Sequence, residues 1–99
     1  MNTAGVGSLD LSGNPKLRIL NCNGSTKSGY GTLSTINLSY TPNLETLNLK
    51  NNKLTEINVS NLVKLTELDL SGNPGANFKI PSAIFNNLTT TKNKGVEAE

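Results

Sequence analysis

The sequence predicts a β-rich solenoid of stacked parallel strands with little helix, and three observations support this fold class. An identical heptapeptide, Leu-Asp-Leu-Ser-Gly-Asn-Pro, occurs at Leu9–Pro15 and at Leu68–Pro74. A looser phrase, Leu-x-x-Leu-x-Leu, recurs along the chain between the two copies. The middle aliphatic residues of equivalent phrases return after 21 positions, as Leu47 and Leu68 do. Self-similarity at such a period is typical of solenoids, in which each unit buries its apolar edge against its neighbours.

The phrases have the periodicity of β-strands. Apolar and polar residues alternate within each phrase, and successive side chains of a strand point to opposite faces of a sheet. We therefore expect Leu47 and Leu49 to point inward, and Thr46 and Asn48 to point outward. Each period of 21 residues holds two such extended segments, one for each side of a flattened coil. Neighbouring copies are expected to pair as parallel strands.

Asparagines mark the expected corners of the coil. Asn52 and Asn73 each follow an inward leucine, Leu49 or Leu70, by three positions. An inward asparagine amide can bond main-chain groups that a turn leaves unpaired, so we predict a structural role for both residues rather than a binding role. Cys22 stands where the repeat requires an apolar residue, and we expect a small core side chain there.

One insertion and the C-terminal region interrupt the pattern. Residues 26–31 are six extra residues rich in glycine, which predicts a loop. Tyr30 makes this loop a candidate contact site, although a tolerated bulge is the alternative. From Phe78 onward the apolar residues no longer follow the repeat, and we expect them to cover the open edge of the last unit. Ser82 is predicted to cap a short helix there.

This pattern divides the chain into one repeat domain and a tail. We place the domain at residues 1–88, with about three repeats, which is near the lower limit for a self-supporting solenoid. Residues 89–99 are predicted to be a polar C-terminal tail. Within it, residues 89–92 could add one degraded strand, and Gly95–Glu99 is expected to be frayed.

The composition argues against most catalytic chemistry. The chain contains no histidine, so a Ser-His-Asp or Cys-His site is impossible. Glu67 and Asp69 would face the same way on a strand, but a shallow sheet leaves both carboxylates in water and gives no reason for one raised pKa. A solvated face is the favoured interpretation, and we predict no enzymatic activity, no cofactor and no metal site.

The charge distribution and the hydropathy of the sequence limit the classes of partner that the chain can bind. The nine basic residues are scattered along the chain, whereas a nucleic-acid binder concentrates them on one face. No apolar run approaches the length of about 20 residues that crosses a bilayer, so membrane insertion is not expected. A protein partner is favoured, and a glycan partner stays open.

One stretch gives a specific resemblance. Leu44–Leu54 matches the leucine-rich repeat signature Leu-x-x-Leu-x-Leu-x-x-Asn-x-Leu at every fixed position. Leu65–Asn73 matches as far as the asparagine, and Leu17–Ser25 matches with Cys22 and Ser25 substituted. The chain thus resembles leucine-rich repeat proteins over roughly Val6–Leu88. The 21-residue period with a second strand-like half is similar to bacterial surface proteins of the internalin-like and surface-antigen-like kinds.

The resemblance implies a right-handed superhelix with a concave sheet that binds partners. Strands that begin at Leu17, Leu44 and Leu65 would form the concave side, and segments that begin at Val6, Leu33 and Leu54 the convex side. The predicted partner-binding residues are the outward ones of the concave strands and the insertion tyrosine, namely Ile19, Asn21, Asn23, Tyr30, Thr46, Asn48, Lys50, Glu67, Asp69 and Ser71.

The resemblance also implies an exported recognition or adhesion protein at the cell surface. The first eight residues have no basic region followed by an apolar stretch, so we expect this chain to be an excised piece of a longer exported protein. The alternative is a cytosolic scaffold or inhibitor that binds a partner protein. A third hypothesis is a segment that spaces other domains and has no partner of its own.

Overall fold

The computed structural model describes residues 11–22, 33–74, 78–89 and 95–99. These residues form five short strands and one helical turn. The elements are, in chain order, β1 (Ile19–Asn21), β2 (Thr46–Asn48), β3 (Glu67–Asp69), β4 (Phe78–Ile80), α1 (Ser82–Phe85) and β5 (Val96–Ala98). The parallel strands and the small helical content confirm the predicted β-rich class.

Strands β1, β2 and β3 form one parallel sheet in chain order. Leu20 pairs with Leu47, and Leu47 pairs with Leu68, so the three middle leucines stand in a single column. Each of these leucines is at most 1% exposed. The expected register of the repeat is therefore confirmed for these strands.

Aliphatic columns fill the core on the inner side of the sheet. The side chains of Leu44, Leu49, Leu54, Leu62 and Leu65 are all completely buried. Cys22 is a buried free cysteine in the same cluster, as expected from its place in the repeat. Burial of a leucine stabilises a fold by about 1.5–3 kcal/mol, so the sum over the units is the main stabilising contribution.

The predicted corner asparagines bond main-chain groups of neighbouring units. The Asn52 amide donates to the carbonyl oxygens of Cys22 at 2.7 Å and Leu49 at 3.0 Å. Its side-chain oxygen accepts from the N–H of Leu33 at 3.3 Å. Asn52 is 6% exposed and lies between two successive units. Its structural role is confirmed.

Residues in the left-handed region stand after β2, after β3 and directly before β5. Among the described residues, φ is positive at Asn51 (61°), Gly72 (75°) and Gly95 (79°). Asparagine and glycine are the residues that adopt this region most readily. Gly72 follows Asn51 by one period of 21 residues, whereas Gly95 follows Gly72 by 23 and precedes β5, so only the first two residues are equivalent in the repeat.

The second side of each unit differs from the prediction. Residues 33–38 and 54–59 form no strand, and residue 55 is a bend. The expectation of a second set of paired strands is therefore wrong for these described segments. Alternating polarity requires only that one face be buried, and it does not require that neighbouring segments be close enough to pair.

The C-terminal region also differs from the prediction. Val96–Ala98 forms β5 and pairs in parallel with β4, where frayed residues were expected. The N–H of Thr89 donates to the Thr66 carbonyl at 3.0 Å, so hydrogen bonding between units reaches the expected degraded strand, while residues 90–94 lie outside the described residues. The extent of the domain, placed at residues 1–88, stays a prediction.

Pro81, and not Ser82, stands at the N-cap of α1, and the cap makes no side-chain hydrogen bond. The Ser82 hydroxyl donates instead to the main-chain carbonyl of Glu99 at 3.2 Å. The predicted capping role of Ser82 is therefore wrong. Its hydroxyl joins the helical turn to the end of β5.

Candidate functional site

The outward side chains of β1, β2 and β3 form two aligned rows. We call this surface the sheet face, and it consists of Ile19, Thr46 and Glu67 in one row and Asn21, Asn48 and Asp69 in the other. Parallel pairing places the members of each row directly beside one another on adjacent strands. The structure thus brings together six of the predicted binding residues.

The sheet face changes character across its width. Ile19 is 58% exposed on β1, where it is the one large apolar side chain among the six. Glu67 and Asp69 place two carboxylates on β3, and no described cation forms a salt bridge with either one. The face therefore offers an apolar contact on one side, amide and hydroxyl groups in the middle, and negative charge on the other side.

The remaining predicted site residues are less completely placed. Lys50 and Ser71 follow β2 and β3, and the Asn51 N–H donates to the Ser71 carbonyl at 2.9 Å, so these two strand ends are adjacent. Asn23 and Tyr30 lie outside the described residues, as does the insertion at 26–31. Their proposed contact role stays a prediction.

Short turns hold the ends of the β2 and β3 rows. The Asp69 carboxylate accepts from the Ser71 N–H at 3.0 Å and from the Ser71 hydroxyl at 2.6 Å. The side-chain oxygen of Asn48 accepts from the Lys50 N–H at 3.1 Å. These bonds restrict the rotamers of Asn48 and Asp69, which lowers the entropy that a partner must remove on binding.

An ion pair borders the sheet face at the start of the strands. Arg18 Nε lies 2.9 Å from Glu45 Oε2, and Arg18 Nη2 lies 3.4 Å from Glu45 Oε1. The hydrogen bond from Arg18 lowers the pKa of Glu45, with further lowering by the charges of Arg18 and Lys64. The same hydrogen bond and the Glu45 charge raise the pKa of Arg18. Sequence reasoning missed this pair, although both residues directly precede an outward row.

A larger concavity lies on the other side of the repeat units. We call it the back groove, with a volume of about 360 Å³ between two segments. Its lining comprises Ser34, Thr35, Ile36, Thr55, Glu56, Ile57 and Asn58. A shallow depression of about 50 Å³ lies on the sheet face at β2 and β3. No sequence pattern indicated the back groove, because the expected strand pairing would have closed it.

Two further properties concern the described part of the chain. No group of three or more acidic or cysteine side chains is suitably placed for a metal ion among residues 11–22, 33–74, 78–89 and 95–99. Within the same ranges, no helix has the length and apolar character needed to span a bilayer.

The comparison with known families agrees with the repeat geometry. Residues 42–88 match the family described as Leucine Rich repeats (2 copies). No curated protein and no solved structure matches the chain significantly. Domains of this family generally mediate protein binding and are typically non-enzymatic. The parallel pairing of β2 with β3 and the column of buried leucines agree with this match over residues 42–88.

Proposed function

We propose that the sheet face is a protein-binding surface of an exported bacterial surface protein. The proposal rests on the register of β1, β2 and β3, which gathers six outward side chains of three units, five of them polar, into one array. The stacked units are proposed to continue as a right-handed superhelix with this sheet on its concave side, because crossover connections between parallel strands are right-handed in about 98% of cases.

The chemistry of the sheet face indicates the kind of partner. Asn21, Asn48 and Thr46 offer donors and acceptors, and the β3 carboxylates favour a partner with a basic patch opposite them. The face lacks a Trp, Tyr or Arg, the residues that most often dominate tight interfaces. We infer a weak or multivalent interaction.

A pair of matched variants tests the assignment to the sheet face. Thr46→Ala combined with Glu67→Gln removes outward groups of β2 and β3 without altering the core. Lys53→Gln changes an exposed residue away from both rows and is the control. After a protein partner has been captured and purified, calorimetry is expected to show affinity at least about tenfold weaker for the double variant, as for two lost interfacial hydrogen bonds. Equal affinity for both variants would move the binding site off the sheet.

The dependence of the association rate on salt concentration tests whether the carboxylates of Glu67 and Asp69 attract the partner. If a basic patch of the partner faces Glu67 and Asp69, association slows as ionic strength rises, because salt screens exposed charges beyond about 10 Å at 0.1 M. Glu67→Gln should reduce this dependence. An association rate that is insensitive to salt in the unmodified protein would exclude electrostatic steering by β3.

A glycan partner is the second candidate, supported by the amide and hydroxyl groups of the sheet face. Binding to glycan arrays that the Thr46→Ala, Glu67→Gln variant loses would favour it over a protein partner. A cytosolic scaffold or inhibitor is the alternative to an exported protein. Detection of the native protein on the surface of intact cells, compared with the cytosolic fraction, distinguishes these two settings.

A further inference from the structure

We propose that Asn58 is the attachment site of an N-linked glycan. Four Asn-x-Ser/Thr sequences, the acceptor motif of this modification, begin at Asn23, Asn37, Asn58 and Asn87. So short a motif arises by chance in an asparagine-rich chain, so local structure has to distinguish an acceptor from an idle copy. The inference rests on the export of the chain under the proposed function, because this modification belongs to secreted proteins.

A short turn at Asn58 holds the acceptor amide against the hydroxyl of its own motif. The Asn58 Oδ1 accepts from the Ser60 N–H at 3.0 Å and from the Ser60 hydroxyl at 2.6 Å. These bonds use both lone pairs of the side-chain oxygen, and they leave the amide nitrogen for an enzyme to reach. Among the described residues, no acceptor bonds that nitrogen.

The motif is anchored in the core by its middle residue. Val59 is 1% exposed, whereas Asn58 and Ser60 on either side of it are exposed. Asn58 also lines the back groove, on the other side of the repeat unit from the sheet face. A glycan at Asn58 therefore leaves the sheet face free for a protein partner.

Asn37 repeats this turn one unit earlier, with both of its bonds to Ser39. The residue two positions before the asparagine is Thr35 in this motif and Glu56 in the other. A transferase that holds an acidic side chain beside the acceptor modifies Asn58 alone, whereas one that requires only the amide and the hydroxyl modifies both asparagines. The occupancy of Asn37 therefore reports on the enzyme rather than on the turn.

Asn87 has a complete motif without the turn. The N–H of Thr89 donates to the Thr66 carbonyl at 3.0 Å, and so it bonds the preceding unit rather than the side chain of Asn87. We expect Asn87 to stay unmodified. The first motif, at Asn23, lies outside the described residues.

The transfer is a substitution at the anomeric carbon of a sugar that is joined to a lipid through pyrophosphate. The Asn58 Nδ2 forms a bond to this carbon, and the bond from the carbon to the pyrophosphate oxygen breaks. One amide proton passes to a carboxylate of the transferase, and the lipid pyrophosphate leaves. Ser60 is a positioning residue, because its hydroxyl orients the amide through Oδ1.

Peptide mapping of the protein isolated from its native cells tests the proposal. Trypsin cuts after lysine and arginine, so the three described motifs fall on separate peptides, residues 28–50, 54–64 and 80–92. We expect a glycan on the 54–64 peptide, located on Asn58 by fragmentation, and an unmodified 80–92 peptide. A 54–64 peptide found only at its unmodified mass would overturn the proposal. Equal glycosylation of the 80–92 peptide would contradict the selection by the turn.

Two substitutions at one exposed residue isolate the role of the hydroxyl. Ser60→Ala should abolish the glycan on the 54–64 peptide, whereas Ser60→Thr keeps a hydroxyl and should retain it. Ser39→Ala is the control and should leave the same peptide glycosylated. Circular dichroism verifies that each variant is folded. Undiminished glycosylation of the Ser60→Ala variant would refute the role of the turn at Asn58.

Other outcomes separate this inference from the proposed function. Unmodified protein on the surface of intact cells would overturn the glycan and leave the sheet face as proposed. Glycosylated protein whose Thr46→Ala, Glu67→Gln variant binds the partner with unchanged affinity would retain the glycan and move the partner off the sheet. Asn58→Gln should leave the partner affinity unchanged, because Asn58 and the sheet face lie on different sides of the units.

Discussion

Asn52 and Asn73 make equivalent hydrogen bonds one repeat unit apart. The Asn73 amide donates to the carbonyls of Leu49 at 3.0 Å and Leu70 at 2.9 Å, and its oxygen accepts from the Leu54 N–H at 3.0 Å. Asn52 has the same relation to the preceding unit, through Cys22, Leu49 and Leu33. Each asparagine therefore joins its own corner to the unit before it.

Removal of the buried amide is expected to weaken the whole stack. Asn52→Ala removes its hydrogen bonds to main-chain groups of two units, and a buried polar group that loses its partner costs about 1–3 kcal/mol. We expect a loss of about 2–4 kcal/mol in the free energy of unfolding, measured by urea denaturation. Asn58→Ala is the control, because Asn58 is exposed and bonds the nearby Ser60 within its own unit. A similar loss in both variants would contradict the bridging role of Asn52.

Substitution of the left-handed glycines by alanine is expected to destabilise the fold to different degrees. Gly95→Ala should be the most damaging, because the added Cβ would lie 2.8 Å from the Leu70 carbonyl carbon at a φ of +79°. A left-handed conformation costs a non-glycine residue about 1–2 kcal/mol, before any displacement of that backbone. Gly72→Ala should cost less, since its Cβ collides mainly with the side chain of Asn51, which can move, and the nearest backbone atom, Asn51 N, is 3.1 Å away.

Gly13→Ala is the matched control for this series. Gly13 occupies the same place in the heptapeptide as Gly72, yet nothing lies within 4 Å of the position that an added Cβ would take. Its φ is not positive. Thermal denaturation should show an effect within about 0.5 kcal/mol of zero. If Gly13→Ala destabilised the protein as much as Gly95→Ala, the loss of stability could not be attributed to the left-handed backbone at Gly72 and Gly95.

The Arg18–Glu45 pair predicts a pH-dependent contribution to stability. Arg18 lowers the pKa of Glu45 in the folded state, so the pair stabilises the fold above the unfolded pKa of the carboxyl group. This contribution is lost as the pH falls through the lowered folded pKa. Denaturation curves of the unmodified protein and of Glu45→Gln should therefore differ at neutral pH and converge in acid. Both side chains are exposed, so added salt should reduce the difference.

An NMR titration isolates the cause of this pKa shift. Arg18→Met should return the Glu45 pKa toward its ordinary value, whereas Lys64→Met should have a smaller effect, because the Arg18 hydrogen bond is the largest cause. A Glu45 pKa that stays equally low without Arg18 would contradict the ion pair as its origin.

Substitution by aspartate is expected to have opposite effects on folding at two adjacent residues of β2, the inward Leu47 and the outward Thr46. Leu47→Asp places a carboxylate at a side chain that is 1% exposed in the central strand, and we expect it to abolish the cooperative unfolding transition. Thr46→Asp on the outward side should remain folded, with a loss of up to about 1 kcal/mol from repulsion by Glu67 on the adjacent strand. A cooperative melt of Leu47→Asp near that of the unmodified protein would refute the core assignment.

The inner column and the sheet face could be predicted because the repeat itself specifies them. A period of 21 residues determines which positions meet on adjacent strands, as Leu47 and Leu68 do. The corner asparagines were predictable for the same reason, because their distance from Leu49 and Leu70 is constant. The ion pair between Arg18 and Glu45 does not recur in the next unit, so the repeat pattern could not predict it.

Other parts of the fold could not be obtained from local pattern. The two copies of the heptapeptide differ in conformation at their glycines, since Gly72 is left-handed and Gly13 is not. In the second copy the Asn73 amide donates to the Leu70 carbonyl, while in the first the main-chain N–H of Asn14 donates to Leu11. Among the described residues of the two copies, identical sequence therefore does not determine the conformation, which depends on the place of the copy within its repeat unit.

The C-terminal strand was missed for a different reason. Val96–Ala98 is short and half-polar, and its pairing partner Phe78–Ile80 precedes it by 18 positions rather than by a full period. Such a segment becomes a strand because β4 supplies an edge beside it, which is a tertiary effect. The back groove was missed because unit spacing on that side depends on curvature, which local alternation does not encode.

The ladder of paired strands, which in the described residues lies on one side of the repeat units, has a mechanical consequence. Ladder bonds along β1, β2 and β3 hold adjacent units at a spacing of about 4.8 Å. Among the described residues, no such ladder crosses the back at residues 35–36 and 56–57, where isolated bonds such as that from the Lys53 N–H to the Leu33 carbonyl at 2.9 Å join the units. Bending that separates the back therefore strains fewer hydrogen bonds. Bending in the opposite sense would stretch the sheet. We expect the protein to flex preferentially in the first direction and thereby adjust its radius to differently sized partners.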